Sequence, residues 1–332
     1  VHSIMAQKRR GMFRMWNIVL ISIAFTLALF GIFINRGGPV PSVHSFASST
    51  LGWVFLGFLC LSLVFSFVVF LLRYKSLRRA ATLESTLSRE AAFLLNNLLL
   101  LCVTFVTLWG VVYPLISQMF RGITVTVAAP FYNQLNGPLL MTLVFLMGIG
   151  PLIPWRKGSI STLLKAARVP GLVGGLVFLA LFIFGIDKPF ALVSFALCGF
   201  VTASILQEWV RGTVVRHRRG ESYPVALLRL ILANRPRYGG YIVHLAMVFL
   251  ALGITGSSFY SVQRDIILAP GQKVNLNNYS IEYVGAREMV KDDRIEFFND
   301  MKVQIDAGTE LIMTTWRAYY PDLRIASTRA AI

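Results

Sequence analysis

Four histidines, His2, His44, His217 and His244, are the residues of this chain best suited to chemistry. A neutral imidazole ligates metals and exchanges protons near neutral pH. Two of the four stand in apolar, helix-like text. His2 opens "HSIMAQ", six residues before Lys8, and His244 lies inside "YIVHLAMVFLALGIT", seven residues after Arg237. An ionisable group inside a membrane helix is costly and faces a bundle interior, a partner or a cofactor. Counting about 1.5 Å of rise per residue, each imidazole lies roughly 9–10 Å past its basic flank, so the two are level.

Two level, neutral imidazoles on facing helices have the arrangement of bis-His haem ligation, in which the axial ligands tune the iron. The same pair equally reads as interhelical hydrogen-bond glue. Gly239, Gly240, Gly253 and Gly256 would let a helix or a macrocycle approach closely. His44 sits in "RGGPVPSVHSFASST", a short loop stiffened by Pro39 and Pro41; loops on a rigid scaffold often carry function. His217, in "VVRHRRGES", reads as part of a basic loop. Cys60, Cys102 and Cys198 stand apart, without metal-ligand spacing, and read as small buried residues. There is no Ser-His-Asp order, no phosphate-cradling glycine loop and no paired carboxylate in an apolar setting.

The elements that must hold these residues are membrane helices. The chain is 56% hydrophobic and 14% charged, and seven apolar segments reach or approach the roughly 20 residues that cross a bilayer. They fall near 15–35, 51–72, 92–116, 138–154, 170–186, 189–209 and 239–258, and the tight "GIDKP" link raises a re-entrant hairpin for the fifth and sixth. The net charge of +17 is concentrated in the alternate connections 1–14, 73–90, 155–169 and 210–238. That is the positive-inside pattern and not a nucleic-acid stripe, so nucleic acid is excluded as a partner and those loops are cytoplasmic. No carboxylate lies mid-span to relay ions, which argues against a secondary transporter.

After about residue 259 the pattern changes. "KVNLNNYSIEYVGAREM", "RIEFFNDMKVQID" and "ELIMTTWRAYYP" alternate β-branched or aromatic with polar residues. The expected fold class is an all-α polytopic membrane bundle of about seven helices, residues 1–258, followed by a small external β-rich domain, residues 259–332. Both ends read as interrupted: "VHSIMAQKRRG" looks like the last turns of a helix, and "STRAAI" stops within strand-like text. A fragment of a longer protein is the expectation.

Three blocks, "HSIMAQKRRGMFRMWNIVLISIAFTLALFGIFINRGG", "SVHSFASS" and "RYGGYIVHLAMVFLALGITGSSFYSVQRD", with the ending "WRAYYPDLRIASTRAAI", resemble the CcmF/NrfE family. These are the haem lyase subunits of bacterial-type (System I) cytochrome c maturation. The resemblance covers nearly the whole chain. It implies that His2 and His244 are the axial ligands of a structural haem b and that His44 is an external ligand positioning the haem to be transferred. His217 matches no ligand position. The family's reaction joins haem to the thiols of a Cys-x-x-Cys-His motif in apocytochrome c, with quinol as a possible reductant. Implied partners are the haem chaperone CcmE, a CcmH-type apocytochrome-handling subunit, apocytochrome c and membrane lipid. The implied location is the bacterial inner membrane, with residues after 259 in the periplasm. The family's tryptophan-rich WWD segment and first external histidine would lie upstream of Val1, and a final anchoring helix would follow Ile332, so the piece alone is expected to be inactive. The competing readings are a membrane cytochrome b acting as a quinol oxidoreductase and a non-enzymatic haem-handling scaffold or transporter.

Overall fold

A computed structural model of the chain describes residues 1–37, 50–78, 83–306, 308–321 and 325–331; of Tyr320 and of 325–331 only the backbone is described. By contacts the chain divides into two compact units, Val1–Phe259 and Tyr260–Ile332. The first is helical and the second is a sheet.

The helical unit begins with a short helix, α1 (His2–Arg10), closed by Gly11 in the left-handed conformation, whose N–H donates to the Gln7 carbonyl. Seven long helices follow: α2 (Arg14–Gly37), α3 (Leu51–Arg78), α4 (Arg89–Arg121), α5 (Ala129–Ile149), α6 (Ile160–Ile183), α7 (Pro189–His217) and α9 (Arg235–Tyr260), with the short α8 (Tyr223–Ala233) before the last. All seven are long and apolar enough to cross a membrane, α5 together with the 3₁₀ turn Gly150–Leu152 that extends it. The chain is a multi-pass membrane protein.

Two helices start well before their expected positions. Pro138 and Pro170, which mark boundaries in the sequence, instead lie inside α5 and α6; membrane helices tolerate internal proline where neighbouring groups re-satisfy the backbone. Ser159 supplies the real start of α6, its hydroxyl accepting from the Thr162 N–H at 3.2 Å. With 24 and 29 residues, α6 and α7 are each long enough to span alone, so the short fifth segment no longer calls for a re-entrant hairpin.

Helix α7 is the spine. Val201, Ser204 and Ile205 have no exposed surface, and Cys198, Phe200, Val201 and Ile205 form one cluster with Tyr238, Tyr241 and Val248 of α9. Polar contacts fix their register: the hydroxyls of Ser194 and Thr255 lie 2.6 Å apart. On its other sides α7 packs against α5, α6 and α8. Gly148 of α5 is the close-approach point there, because a Cβ would sit 2.5 Å from the Phe200 ring. Of the three cysteines only Cys198 is buried, while Cys60 is exposed on α3. In a bilayer helix a lipid-facing thiol costs little, which is why the expectation of burial fails there.

The second unit is a five-stranded antiparallel meander in the order β1 (Lys273–Leu276), β2 (Tyr279–Val290), β3 (Ile295–Ile305), β4 (Glu310–Tyr320) and β5 (Ile325–Ala331). The register shifts between Tyr283 and Gly285, a bulge at Val284. One face carries Phe298 stacked on Trp316, with the Arg287 guanidinium over Phe298. Glu296, 3% exposed, accepts from Arg294 Nε at 2.7 Å and Lys291 Nζ at 3.0 Å. Asp300 accepts from the Thr314 hydroxyl at 2.6 Å and pairs with Arg287 at 3.1 Å.

Two measurements test this packing. Gly148→Ala is expected to cost about 1–3 kcal/mol through overpacking against Phe200, read by denaturant unfolding of the detergent-solubilised chain. In the sheet, the hydrogen bonds from Arg294 and Lys291 hold the Glu296 carboxyl below its ordinary range, and those from Thr314 and Arg287 do the same for Asp300. A lowered folded-state pKa contributes stability above the ordinary carboxylate range, and that contribution is lost as pH falls through the folded value. Amide exchange of β3 and β4 should therefore accelerate on acidification below about pH 4, beyond the intrinsic rate change, and Glu296→Gln should reduce that dependence.

Candidate cofactor site

The structure brings His2 and His244 together. α1 packs against α2 and α4, and the His2 ring meets the His244 ring of α9 with centroids 6.0 Å apart and planes at 76°. His2 also lies flat on Phe93 of α4, at 4.8 Å and 5°. Phe93 in turn meets Trp155 edge to face at 5.8 Å.

Buried hydrogen bonds and ion pairs hold α1 in place. Asn17 Nδ2 of α2 donates to the Ser3 carbonyl at 3.3 Å and to Gln7 Oε1 at 2.5 Å. Arg10 pairs with Glu84, and at 3.3 Å with Glu90. Glu90, 2% exposed in the first turn of α4, also accepts from the Arg156 backbone N–H at 3.1 Å. One carboxylate thus ties α1, α4 and the 3₁₀ connection together. α9 is held by Arg237, which pairs with Glu208 of α7 and donates to the Tyr241 hydroxyl at 3.1 Å.

Could this pair hold a metal group? Two imidazoles sharing a metal through bonds of about 2 Å have ring centroids roughly 6 Å apart, which is the separation found. His244 Nδ1 is buried with no hydrogen-bond partner among the described residues, and such an orphan costs about 1–3 kcal/mol. Among those residues no three His, Cys, Asp or Glu side chains converge on a metal position. A metal between the two rings would need its remaining ligands from a macrocycle, as in haem. The glycine positions of α9 are open: a Cβ at Gly239, Gly240, Gly253 or Gly256 would meet nothing within 4 Å. The glycines therefore do not serve close helix packing, contrary to one of their two expected uses. Gly240, one turn before His244 on the same face, leaves bare backbone beside that ring. The residues fit the group.

The other two histidines lie elsewhere. His44 lies outside the described residues. His217 ends α7, stacked on Tyr223 at 3.8 Å, with Nδ1 2.8 Å from the Glu221 carbonyl. Glu221 also receives Arg216 at 2.9 Å and Arg229 at 3.3 Å, and the Arg216 hydrogen bond holds its carboxyl below the usual range. His217 braces the α7–α8 corner.

Sequence reasoning missed Phe93, Trp155, Glu90 and Glu208, and read the arginines only as loop charge. A usable signal existed: Arg9 and Arg237 each lie seven residues, two helical turns, from their histidine, and Phe93 lies one turn after Arg89.

No family model matches the chain. It is 29% identical over 338 residues to the cytochrome c-type biogenesis protein CcmF of Haemophilus influenzae, covering 100% of this chain and 50% of that protein. It is 32% identical over 295 residues to CcmF of Pseudomonas aeruginosa, covering 86% and 43%. The chain is a homologue of the CcmF, CycK and NrfE proteins. NrfE of Haemophilus influenzae is 26% identical over 284 residues. The solved structure of the cytochrome c haem lyase CcmF superposes with a TM-score of 0.68 at 24% identity, covering 98% of this chain and 48% of that one, so the two share their fold. The chain spans about half the length of the curated relatives it matches.

Glu90→Ala tests the scaffold. Losing the Arg10 ion pair and the Arg156 hydrogen bond of this buried carboxylate should destabilise the helical unit by on the order of 2 kcal/mol, seen in denaturant unfolding, and should raise amide exchange in α1 before that in α7.

Proposed function

We propose that this chain is the haem-handling part of a membrane haem lyase in cytochrome c maturation, with His2 and His244 as axial ligands of a resident haem b. The observation that supports this reading is the imidazole pair: two rings on different helices at the separation of a shared metal, one with an orphaned buried nitrogen. The homology to proteins named for cytochrome c-type biogenesis supplies the biological setting.

When bound, haem b would supply a one-electron redox centre. The chain's own residues orient it. Phe93 fixes the plane of the His2 ring by stacking, and the Tyr241–Arg237–Glu208 contacts fix the helix carrying His244. The haem to be transferred is a separate group, a substrate, and His44 is its proposed ligand. Attachment needs a haem vinyl group and a substrate cysteine thiol held together, which is catalysis by proximity. The proposed partners are the haem chaperone CcmE, a CcmH-type subunit and apocytochrome c. By the distribution of loop charge the sheet unit is assigned to the periplasmic side of the inner membrane.

The test is optical. The detergent-purified chain should show a b-type reduced spectrum and a b-type pyridine haemochrome, lost in His2→Ala and in His244→Ala. Spectra that survive both substitutions would sink the ligand assignment. In cells carrying the complete protein, His44→Ala should abolish holocytochrome c while leaving the haem b signal in place. Normal holocytochrome c would remove His44 from the reaction.

A further inference from the structure

One flank of the histidine pair carries two guanidinium groups that no carboxylate ion pair among the described residues neutralises. Trp155 sits edge-on to Phe93, the residue on which His2 stacks. Two guanidinium groups lie over the Trp155 ring, that of Arg9 at 5.2 Å and that of Arg89 at 5.4 Å. Their neighbours are ion-paired: Arg10 has Glu84 and Glu90, and Arg237 has Glu208. Neither Arg9 nor Arg89 forms an ion pair with a carboxylate among the described residues, although Glu208, already paired with Arg237, acts on the Arg89 charge from farther off. Arg9 is exposed and forms no hydrogen bond or ion pair with them. Arg89 spends Nε on the Ile153 carbonyl at 3.0 Å and Nη2 on the Pro151 carbonyl at 3.1 Å. A guanidinium has five N–H donors, so Arg89 keeps three for another acceptor.

Two like charges brought to one indole at the edge of a membrane oppose each other unless an anion joins them. The ring attracts each cation, which positions them without neutralising them. An anion taken here leaves water only if it is paired and hydrogen-bonded, and an arginine fork matches a carboxylate with two parallel bonds. The site thus offers two forks for two carboxylates, beside two imidazoles suited to one metal. A porphyrin carries its two propionates on one edge.

We propose that Arg9 and Arg89, held over Trp155, are the carboxylate-binding end of the cofactor site and take the two propionates of the haem whose iron lies between His2 and His244. The proposal rests on the haem reading above and adds to it an orientation: the propionate edge faces the basic end of α1 and α4. Arg89 has a second task, tethering the 3₁₀ connection, whereas Arg9 has only the anion.

The experiment titrates the detergent-purified haem-free chain with iron protoporphyrin IX and, separately, with its dimethyl ester, following the Soret band. Iron protoporphyrin IX is expected to bind at least about tenfold more tightly than the ester, the size of one charged hydrogen-bonded contact. Arg9→Gln and Arg89→Gln should each reduce that preference while leaving ester binding unchanged. His244→Ala should remove the Soret shift with both compounds. Equal affinity for acid and ester with the Soret shift intact would overturn the propionate assignment and leave the imidazole pair standing. No shift with either compound would overturn both. If Arg89→Gln fails to fold because its carbonyl tethers are lost, Arg9→Gln carries the test: an unchanged preference there overturns the proposal.

Discussion

Glu90 is the interaction on which the site depends. A carboxylate with almost no contact with solvent needs a counter-charge and a donor, and Glu90 finds them in the ion pair with Arg10 and the hydrogen bond from the Arg156 backbone N–H. Those two partners belong to α1 and to the connection after α5, so satisfying one charge locates three pieces of chain. His2 inherits its place from this arrangement, because α1 has nine residues and too little apolar surface to anchor itself. Asn17 completes the attachment from α2. Removing one partner of a buried pair leaves the other uncompensated, which makes such a joint stiff.

The second half of the site is held by a different means. α9 is apolar and packs along α7 through Tyr238, Tyr241 and Val248, so burial fixes its height and rotation. The Ser194–Thr255 hydroxyl contact and the Arg237–Glu208 pair set register at either end. His244 lies between those two fixed points. One histidine is thus placed by polar joints and its mate by packing. A relative shift of α1 would change the distance between the rings without disturbing the α7–α9 core.

Much of this was legible in the sequence. Seven spans, the switch to alternating strands after residue 259 and the equal depth of His2 and His244 all follow from hydropathy, period and loop charge. Starts of α5 and α6 were not, because proline reads as a stop signal in water-exposed helices and loses that meaning where lipid forbids an open backbone. Helix α8 was hidden inside a loop assigned from its arginines alone. Gly239, Gly240, Gly253 and Gly256 read as points of close approach for a helix or a macrocycle, and they border open space with no described helix against them; composition alone cannot say what lies opposite a missing side chain. The partners of the histidines were also out of reach, since Phe93 and Trp155 look like any apolar residue until the fold lays Phe93 on His2 and sets Trp155 edge-on to Phe93.

The arginines show the same limit most sharply. In a multi-pass protein basic residues gather on one side for topological reasons, and that signal hides any other use they have. The structure separates the two by pairing. Arg10, Arg216, Arg229 and Arg237 neutralise carboxylates and brace corners. Arg9 and Arg89 share an aromatic ring and form no ion pair with a carboxylate among the described residues. A charge kept at the end of a helix for topology can sit anywhere in the headgroup region. Two charges brought to one indole beside an imidazole pair occupy a position that topology alone does not require, and the complementary anion is the simplest reason for them to converge there.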